Sequence, residues 1–391
     1  MRINWFSNAP WCHTGYGNQT RLFTPRIKAL GHDVTISALY GLDGAPMDVN
    51  GIMVYPKAHH PWGMDIVNAH AVHSKADCII SLIDLWACAP SRFHKPWFPW
   101  FPVDCEPIPA AVLATLQQTT RGIVFSKFAQ EQAQNAGIDP FYVPHGVDTK
   151  VFRMEDRQEA REILGFPTDA FIVGMVANNK GNPPRKSFFE QIAAFTALKK
   201  QRPDALLYLH TDDGTHGGET VNLLEFCGVM RLKPKTDVIF CDQYEYTLGF
   251  NDDYMRHIYN SMDVLMNASM GEGFGLPIVE AQACGCPVIV GDWTSMSELC
   301  FSGWKIPKED ATPIWQSFFG AFQWQVKTEA MAGCLLAAYE ARDNQANREW
   351  AAIAAQFYDA DLITEKYWKP TLEKIDELVS NSESKMELVT F

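Results

Sequence analysis

Short apolar runs alternate along the chain with longer segments whose apolar positions recur at helical spacing. In the first half, residues 2–6, 33–38, 78–83, 97–103, 122–126 and 141–143 read as strands, and 20–30, 110–118 and 127–135 as helices. The second half repeats the plan, with strands at 171–177, 205–211, 238–240, 264–267 and 287–291 and a helix at 188–198. Regular alternation of this kind predicts βαβ units and parallel sheets, an α/β fold. Between the two sets lies Pro144-His145-Gly146-Val147-Asp148, a turn followed by the charged stretch 153–161, which places a boundary near residue 150. The expected domains are therefore 1–150 and 151–350. Beyond about residue 312 the chain reads as Ala- and Trp-rich and helical. Residues 351–391 are expected to form closing helices, carrying Trp368, that pack back on the first domain and end in a frayed polar tail at 381–385. Trp350, at the edge of that stretch, is expected to pack the same way.

Composition narrows the class. With 391 residues the chain exceeds one ordinary core, and 47% hydrophobic with 20% charged residues excludes a disordered protein. A formal charge of −13 argues against a general polyanion-binding surface, since that affinity comes from many Lys and Arg contacts to phosphate. The ten cysteines are scattered without CxxC pairs, so neither a zinc site nor a disulfide framework is expected. They read as small buried hydrophobes in a reducing, cytoplasmic setting. The N-terminus turns polar at Ser7-Asn8, too early for a signal peptide, and the apolar run 76–89 carries Asp77 and Asp84 and is too short to span a bilayer. No membrane span is expected.

The chemistry concentrates in Ser269-Met270-Gly271-Glu272-Gly273-Phe274-Gly275-Leu276-Pro277-Ile278-Val279-Glu280. A strand ending at Asn267 runs into a glycine-rich turn, and the turn opens a helix near Pro277, a residue favoured in the first helical turn. Gly273 and Gly275 leave the backbone amides open to a diphosphate, with the positive end of the helix dipole behind them. Glu272 and Glu280 stand far enough apart for two halves of one ligand, and carboxylates suit vicinal hydroxyls because each oxygen accepts O–H bonds. Spacing alone equally allows a generic strand, turn and helix with solvent-facing glutamates.

The run Glu-Gly-Phe-Gly-Leu-Pro-x-x-Glu-Ala-x-Ala-x-Gly-x-Pro-Val, beginning at Glu272, resembles the Glu-x-seven-Glu signature of family-four retaining glycosyltransferases at every fixed position. Its first six letters recur by chance in fewer than about 10⁻⁷ of windows. Further matches follow in order over roughly residues 1–300: Gly31-His32-Asp33-Val34, Ser126-Lys127, Val143 to Asp148 with Phe152, and Met262-Asp263-Val264. The resemblance implies a GT-B fold, two Rossmann-like domains with parallel sheets facing a central cleft. It implies Glu280 on the ribose hydroxyls of a nucleoside-diphosphate sugar and Glu272 on the donor sugar. Gly273, Phe274, Gly275 and Leu276 would hold sugar and diphosphate through main-chain amides.

Three further segments enter through the same resemblance. Gly15-Tyr16-Gly17 follows the first strand and is similar to the family's N-domain glycine loop, suited to phosphate at a helix tip; by itself Gly-x-Gly is a common turn. Lys180 to Lys186 follows the strand 171–177, and there Lys186 fits the family's diphosphate-binding Lys. Asn178 or Asn179 stands where an Arg is expected, so Arg185 or Lys180 would supply the missing cation. At the end of the strand 97–103 many relatives carry a His, and this chain has Asp104, which either orients or deprotonates the acceptor hydroxyl or caps the following turn. Asp212-Asp213 and the histidines 59, 60, 70, 73, 210 and 216 lack a metal-ligand pattern, so no metal is expected.

The resulting expectation is a glycosyltransferase that moves a sugar from a nucleoside-diphosphate sugar to an acceptor hydroxyl with retention, needing no cofactor. A nucleotide-sugar-processing enzyme of the epimerase kind would instead turn over donor without acceptor, and a catalytically silent binder would release no nucleotide. The acceptor stays open among a glycan, a lipid-linked sugar, a protein, a small metabolite and a hydroxymethylated DNA base. The donor nucleotide stays open among UDP, GDP and ADP.

Overall fold

The computed structural model describes residues 1–88 and 92–389, with side chains through residue 381. Ala89, at the end of the apolar run 76–89, and the side chains of 382–385 in the polar tail lie outside the described residues. The chain divides into two units. The first comprises Met1–Gly146, Ser317–Ala321 and the chain from Tyr358 onward; the second comprises Val147–Gln316 and Phe322–Phe357.

Strands β1 (Arg2–Asn8), β2 (Asp33–Tyr40), β3 (Met47–Val49), β4 (Ile52–Tyr55), β5 (Cys78–Leu82), β6 (Trp97–Phe101), β7 (Ile123–Val124) and β8 (Phe141–Tyr142) form the sheet of the first unit. Their order is β3-β4-β2-β1-β5-β6-β7-β8, parallel throughout except for β3, which runs antiparallel to β4. β5 and β6 are buried at every position. Parallel strands covered on both faces lose the alternation of half-exposed strands and appear in sequence as continuous apolar runs. β3 and β4 went unpredicted because β3 is a three-residue edge strand with exposed residues, and β4 is only four residues long.

The closing helices bury Trp368 beside Trp5, Trp100 and Phe23, with ring centroids 5.7, 4.9 and 5.9 Å away. A fully buried Trp contributes about 3–5 kcal/mol relative to alanine, so this ring ties the chain end to the core of the first unit. Trp350 behaves differently from the expectation. It lies in the second unit on the helix Gln345–Ala355, which buries Arg348, Ala351, Ala354 and Ala355 and leaves Trp350 exposed, donating to the Phe301 carbonyl at 3.1 Å. The last helix, Lys369–Val389, runs across the segment expected to fray.

In the second unit, β9 (Phe171–Val176), β10 (Ala205–His210), β11 (Val238–Phe240), β12 (Val264–Asn267), β13 (Val288–Gly291) and β14 (Gly303–Ile306) pair in the order β11-β10-β9-β12-β13-β14, all parallel. Strand order reverses between β9 and β12, which pair through Val173 with Val264 and Gly174 with Leu265. Such a reversal leaves a crevice beyond the carboxyl ends of the two strands, where ligands of parallel α/β sheets bind. The expectation of helix from about residue 312 fails: β15 (Ala311–Gln316) and β16 (Ala321–Val326) form a two-stranded sheet, and helix resumes only at Thr328. The aromatic and β-branched residues Ile314, Trp315, Phe322, Trp324 and Val326 favour strand.

Asp263 anchors the start of β12. Its carboxylate accepts from Arg161 Nη2 at 2.7 Å and from the backbone N–H of Ile172 at 2.7 Å, and it also pairs with Arg157. Removing one partner of a buried ion pair strands the other charge, at a cost of about 3–5 kcal/mol. Asp263→Ala is therefore expected to lower the urea midpoint of the second unit by a corresponding amount; a wild-type midpoint would remove Asp263 from the supports of the site.

Candidate functional site

The loop after β9 and the loop after β12 meet at the switch point. Two hydrogen bonds join them: Met270 N–H donates to the Arg185 carbonyl at 2.8 Å, and the Arg185 guanidinium donates to the Gly271 carbonyl. Between them sits the Glu272 carboxylate, buried, accepting from Ser269 Oγ at 2.7 Å and from Lys186 Nζ on the same oxygen, Oε1. Arg185 Nη1 lies 3.7 Å from Oε2. The structure thus brings Lys186, Arg185 and Glu272 together.

Burial alone would raise the Glu272 carboxyl, but the Lys186 and Arg185 cations, with hydrogen bonds from Lys186 and Ser269, hold it below its ordinary value of 4.5. At neutral pH it is a carboxylate, able to accept hydroxyl protons and unable to donate one. The turn around it is fixed from behind by the segment after β13. Ser295 Oγ donates to the carbonyls of Glu272 at 2.8 Å and Phe274 at 2.6 Å, Trp293 Nε1 to that of Ser269 at 3.0 Å, and Glu272 N–H to Thr294 Oγ1 at 3.2 Å. Gly273 follows in the turn, and Gly275 adopts φ +110°, a left-handed value that strains any side chain, as it caps the helix Leu276–Ala283. Glu280 stands just past the first turn of that helix, and its Oε2 accepts from the Tyr259 hydroxyl at 2.7 Å.

The position where an Arg was expected serves structure. Asn179 is buried, and its side chain donates to the carbonyls of Asp212 at 3.1 Å and Val221 at 2.7 Å and accepts from Val221 N–H, tying down the 212–221 loop. Asn178 is exposed, and Lys180 is an exposed residue 3.5 Å from Glu219. Of the two substitute cations proposed from sequence, Arg185 is the one beside Glu272. Asp212 and Asp213 accept from Gly214 and Thr215 within their own loop. His59 and His60 donate backbone N–H groups to Asp65, and the ring of His70 stacks on Tyr55 at 4.9 Å. Among the described residues no group of three or more His, Cys, Asp or Glu has a metal-ligating arrangement.

In the first unit the expected glycine loop ends earlier than the sequence suggested. The helix spans Gly15–Ala29, so Gly15, Tyr16 and Gly17 form its first turn instead of preceding it. Thr14 is the cap, its Oγ1 accepting from Gly17 N–H at 3.0 Å and from Asn8 Nδ2 at 2.7 Å. A Cβ at Gly17 would run into the Cys12 carbonyl, so the close approach of loop and helix demands glycine there. Tyr16 donates to Asp84 at 3.2 Å. Asp104 is half-buried in the stretch after β6, ahead of the helix Ala110–Leu116. It belongs to the first unit, whereas Lys186, Glu272 and Glu280 belong to the second.

Sequence reasoning missed Tyr259, Thr294, Ser295 and Trp293, which lie 21 to 23 residues from the carboxylates they support. Ser269 was findable, as a hydroxyl three residues before Glu272 at a strand end.

Residues 171–317 match the family model for glycosyl transferases group 1. The D-inositol 3-phosphate glycosyltransferase of Paenarthrobacter aurescens (strain TC1) is 29% identical over 163 residues, 41% of this chain and 36% of the relative. The chain thus spans about a third of the length of the curated relative it matches. Solved structures match nearly end to end. Sucrose-phosphate synthase from Thermosynechococcus elongatus aligns with a TM-score of 0.74 at 16% identity, covering 96% of this chain and 100% of that one. HepE of Anabaena, solved in complex with UDP-glucose, gives 0.67 at 16% identity, covering 95% and 100%. The fold is α/β with parallel sheets, that of the GT-B glycosyltransferase structures. Among the described residues no helix is long and apolar enough to cross a membrane.

The charge balance at Glu272 is directly testable. A carboxyl whose folded pKa is depressed adds stability that is fully present above its ordinary value of 4.5 and is lost as pH falls through the lower folded value. Lys186→Met removes one of the two cations that oppose burial, and the Glu272 carboxyl is expected to titrate above the wild-type position in a ¹³C carboxyl NMR titration. An unmoved titration would mean that Lys186 does not set the charge of Glu272.

Proposed function

We propose that the chain transfers a glycosyl group from a nucleoside-diphosphate sugar to an acceptor hydroxyl, with retention at the anomeric carbon and without a bound metal. The observation that carries this reading is the convergence of Lys186 and Arg185 on Glu272 at the switch point of a parallel sheet, with Glu280 on the helix that leads away from it. The match of residues 171–317 to the glycosyl transferases group 1 model supports it, as does the UDP-glucose complex of the Anabaena neighbour, which favours a diphosphate sugar as donor class.

In this reading Glu280 accepts the ribose hydroxyls and Glu272 the hydroxyls of the transferred sugar. The amides of Gly273, Phe274, Gly275 and Leu276 meet the sugar and diphosphate, with the N-terminus of the helix Leu276–Ala283 adding its partial positive charge. Lys186 and Arg185 stabilise the charge that grows on the departing diphosphate, where preorganised cations contribute most because they need no reorganisation as the bond breaks. The acceptor oxygen bonds to the anomeric carbon on the face from which the phosphate leaves, and the departing phosphate oxygen takes the acceptor proton. Asp104 is assigned to orienting the acceptor hydroxyl. Gly15, Tyr16 and Gly17 are assigned to the phosphate side of the donor.

Hydrogen bonds to a charged group are worth about 1.5–3 kcal/mol, so Glu280→Ala is expected to weaken donor binding about 10- to 100-fold by calorimetry. Retained affinity would refute the ribose assignment. Asp104→Asn is expected to slow transfer while leaving nucleotide affinity at the wild-type level; transfer at the full rate would take Asp104 out of the mechanism.

A further inference from the structure

Glu280 lies on the helix Leu276–Ala283, and a second helix, Asp252–Ser261, carries Tyr259 to it. Tyr259 is fully buried, packed edge-on against Phe152 with ring centroids 6.0 Å apart, and its hydroxyl donates to Glu280 Oε2 at 2.7 Å. A Glu side chain on a helix has several rotamers open to it, and holding one of them costs conformational entropy on binding. A rigid buried donor removes that cost in advance.

We infer that Tyr259 is a positioning residue for nucleotide recognition: its hydroxyl fixes one oxygen of Glu280, so the carboxylate meets the ribose diol already oriented. The inference rests on the ribose assignment of Glu280 and deepens it. Burial, followed by the neighbouring Glu280 charge, pushes the Tyr259 phenol well above its ordinary value, so the proton stays on Tyr259 and the hydrogen bond keeps its direction throughout the neutral range. The ring fills the core in either case, and the hydroxyl is the part that bears on the ligand. Because the carboxylate is shared between a protein donor and ribose hydroxyls, loss of the tyrosine hydroxyl should act on binding of the ribose and leave the diphosphate contacts at Lys186 and Arg185 unaffected.

Tyr259→Phe keeps the ring and deletes the hydroxyl, so it separates the two roles. UDP, GDP and ADP are titrated into wild-type protein by calorimetry, and the tightest binder is compared with its 2′-deoxy and 2′,3′-dideoxy forms against wild type, Tyr259→Phe and Glu280→Gln. The expected result is that Tyr259→Phe weakens the ribonucleotide about three- to tenfold and leaves the dideoxy form unchanged, so the preference for a ribose narrows. In transfer assays the same variant raises KM for the donor more than it lowers kcat. A merely structural tyrosine would shift the ribo, 2′-deoxy and dideoxy forms equally or not at all. If Glu280→Gln loses ribose preference and Tyr259→Phe keeps it, the inference falls and the ribose assignment stands. If Glu280→Gln keeps full preference, or wild type binds none of the three nucleotides, the ribose assignment itself falls and takes the inference with it.

Discussion

The second unit is organised around a carboxylate that burial disfavours. Glu272 is shielded from water, and a carboxylate in that position persists only with cations and donors at hand. Lys186, Arg185 and Ser269 supply them, and the first two come from the loop after the neighbouring strand β9. The requirement to compensate one charge therefore fixes the relative placement of two loops. Those loops are the ones that a parallel sheet sends out at its switch point, where the strand order leaves space between them.

Support extends outward in layers. Ser295 and Trp293 occupy the carbonyls of the turn, which holds the main chain on either side of Glu272 in one conformation. Asp263, at the opposite end of β12, fastens the strand to Arg161 and to the start of β9. A site built on two adjacent strands inherits the rigidity of their ladder, and the loops add only short excursions from it. Hydrogen bonds of 2.6 to 3.0 Å to the carbonyls of the turn hold it on that ladder.

What the sequence disclosed followed from burial. β5, β6, β9 and β10 are covered on both faces and stand out as apolar runs, and the Gly-rich turn before Pro277 is a local pattern. Edge and surface strands were illegible for the complementary reason: β14, with exposed Gly303 and Lys305 and only Ile306 buried, has no apolar run, and β15 mixes exposed Thr312, Pro313 and Trp315 with a single buried Ala311. Within the site, Glu272, Glu280 and Lys186 could be named because they lie in patterned segments. Tyr259 and Ser295 could not, since their partners are set by the crossing of helices and loops far apart in sequence, and a Tyr among Ile258 and Met262 reads as ordinary core.

The departure at Asn179 shows how a change of residue type alters the division of labour. An Arg at the strand end would bring a cation to the crevice, but Asn179 is turned into the fold, where its amide satisfies three backbone groups of the 212–221 loop. Positive charge comes instead from Arg185, whose guanidinium bonds to the Gly271 carbonyl while standing 3.7 Å from Glu272. A planar guanidinium with donors at fixed angles can serve a carbonyl and a carboxylate at once, whereas an ammonium at the same place serves as a point charge. Arg185 therefore joins the two loops both through its side chain and through its own carbonyl, which accepts from Met270. One residue thus supplies charge to the site and stitches its backbone, so charge and loop geometry in this crevice are not separable.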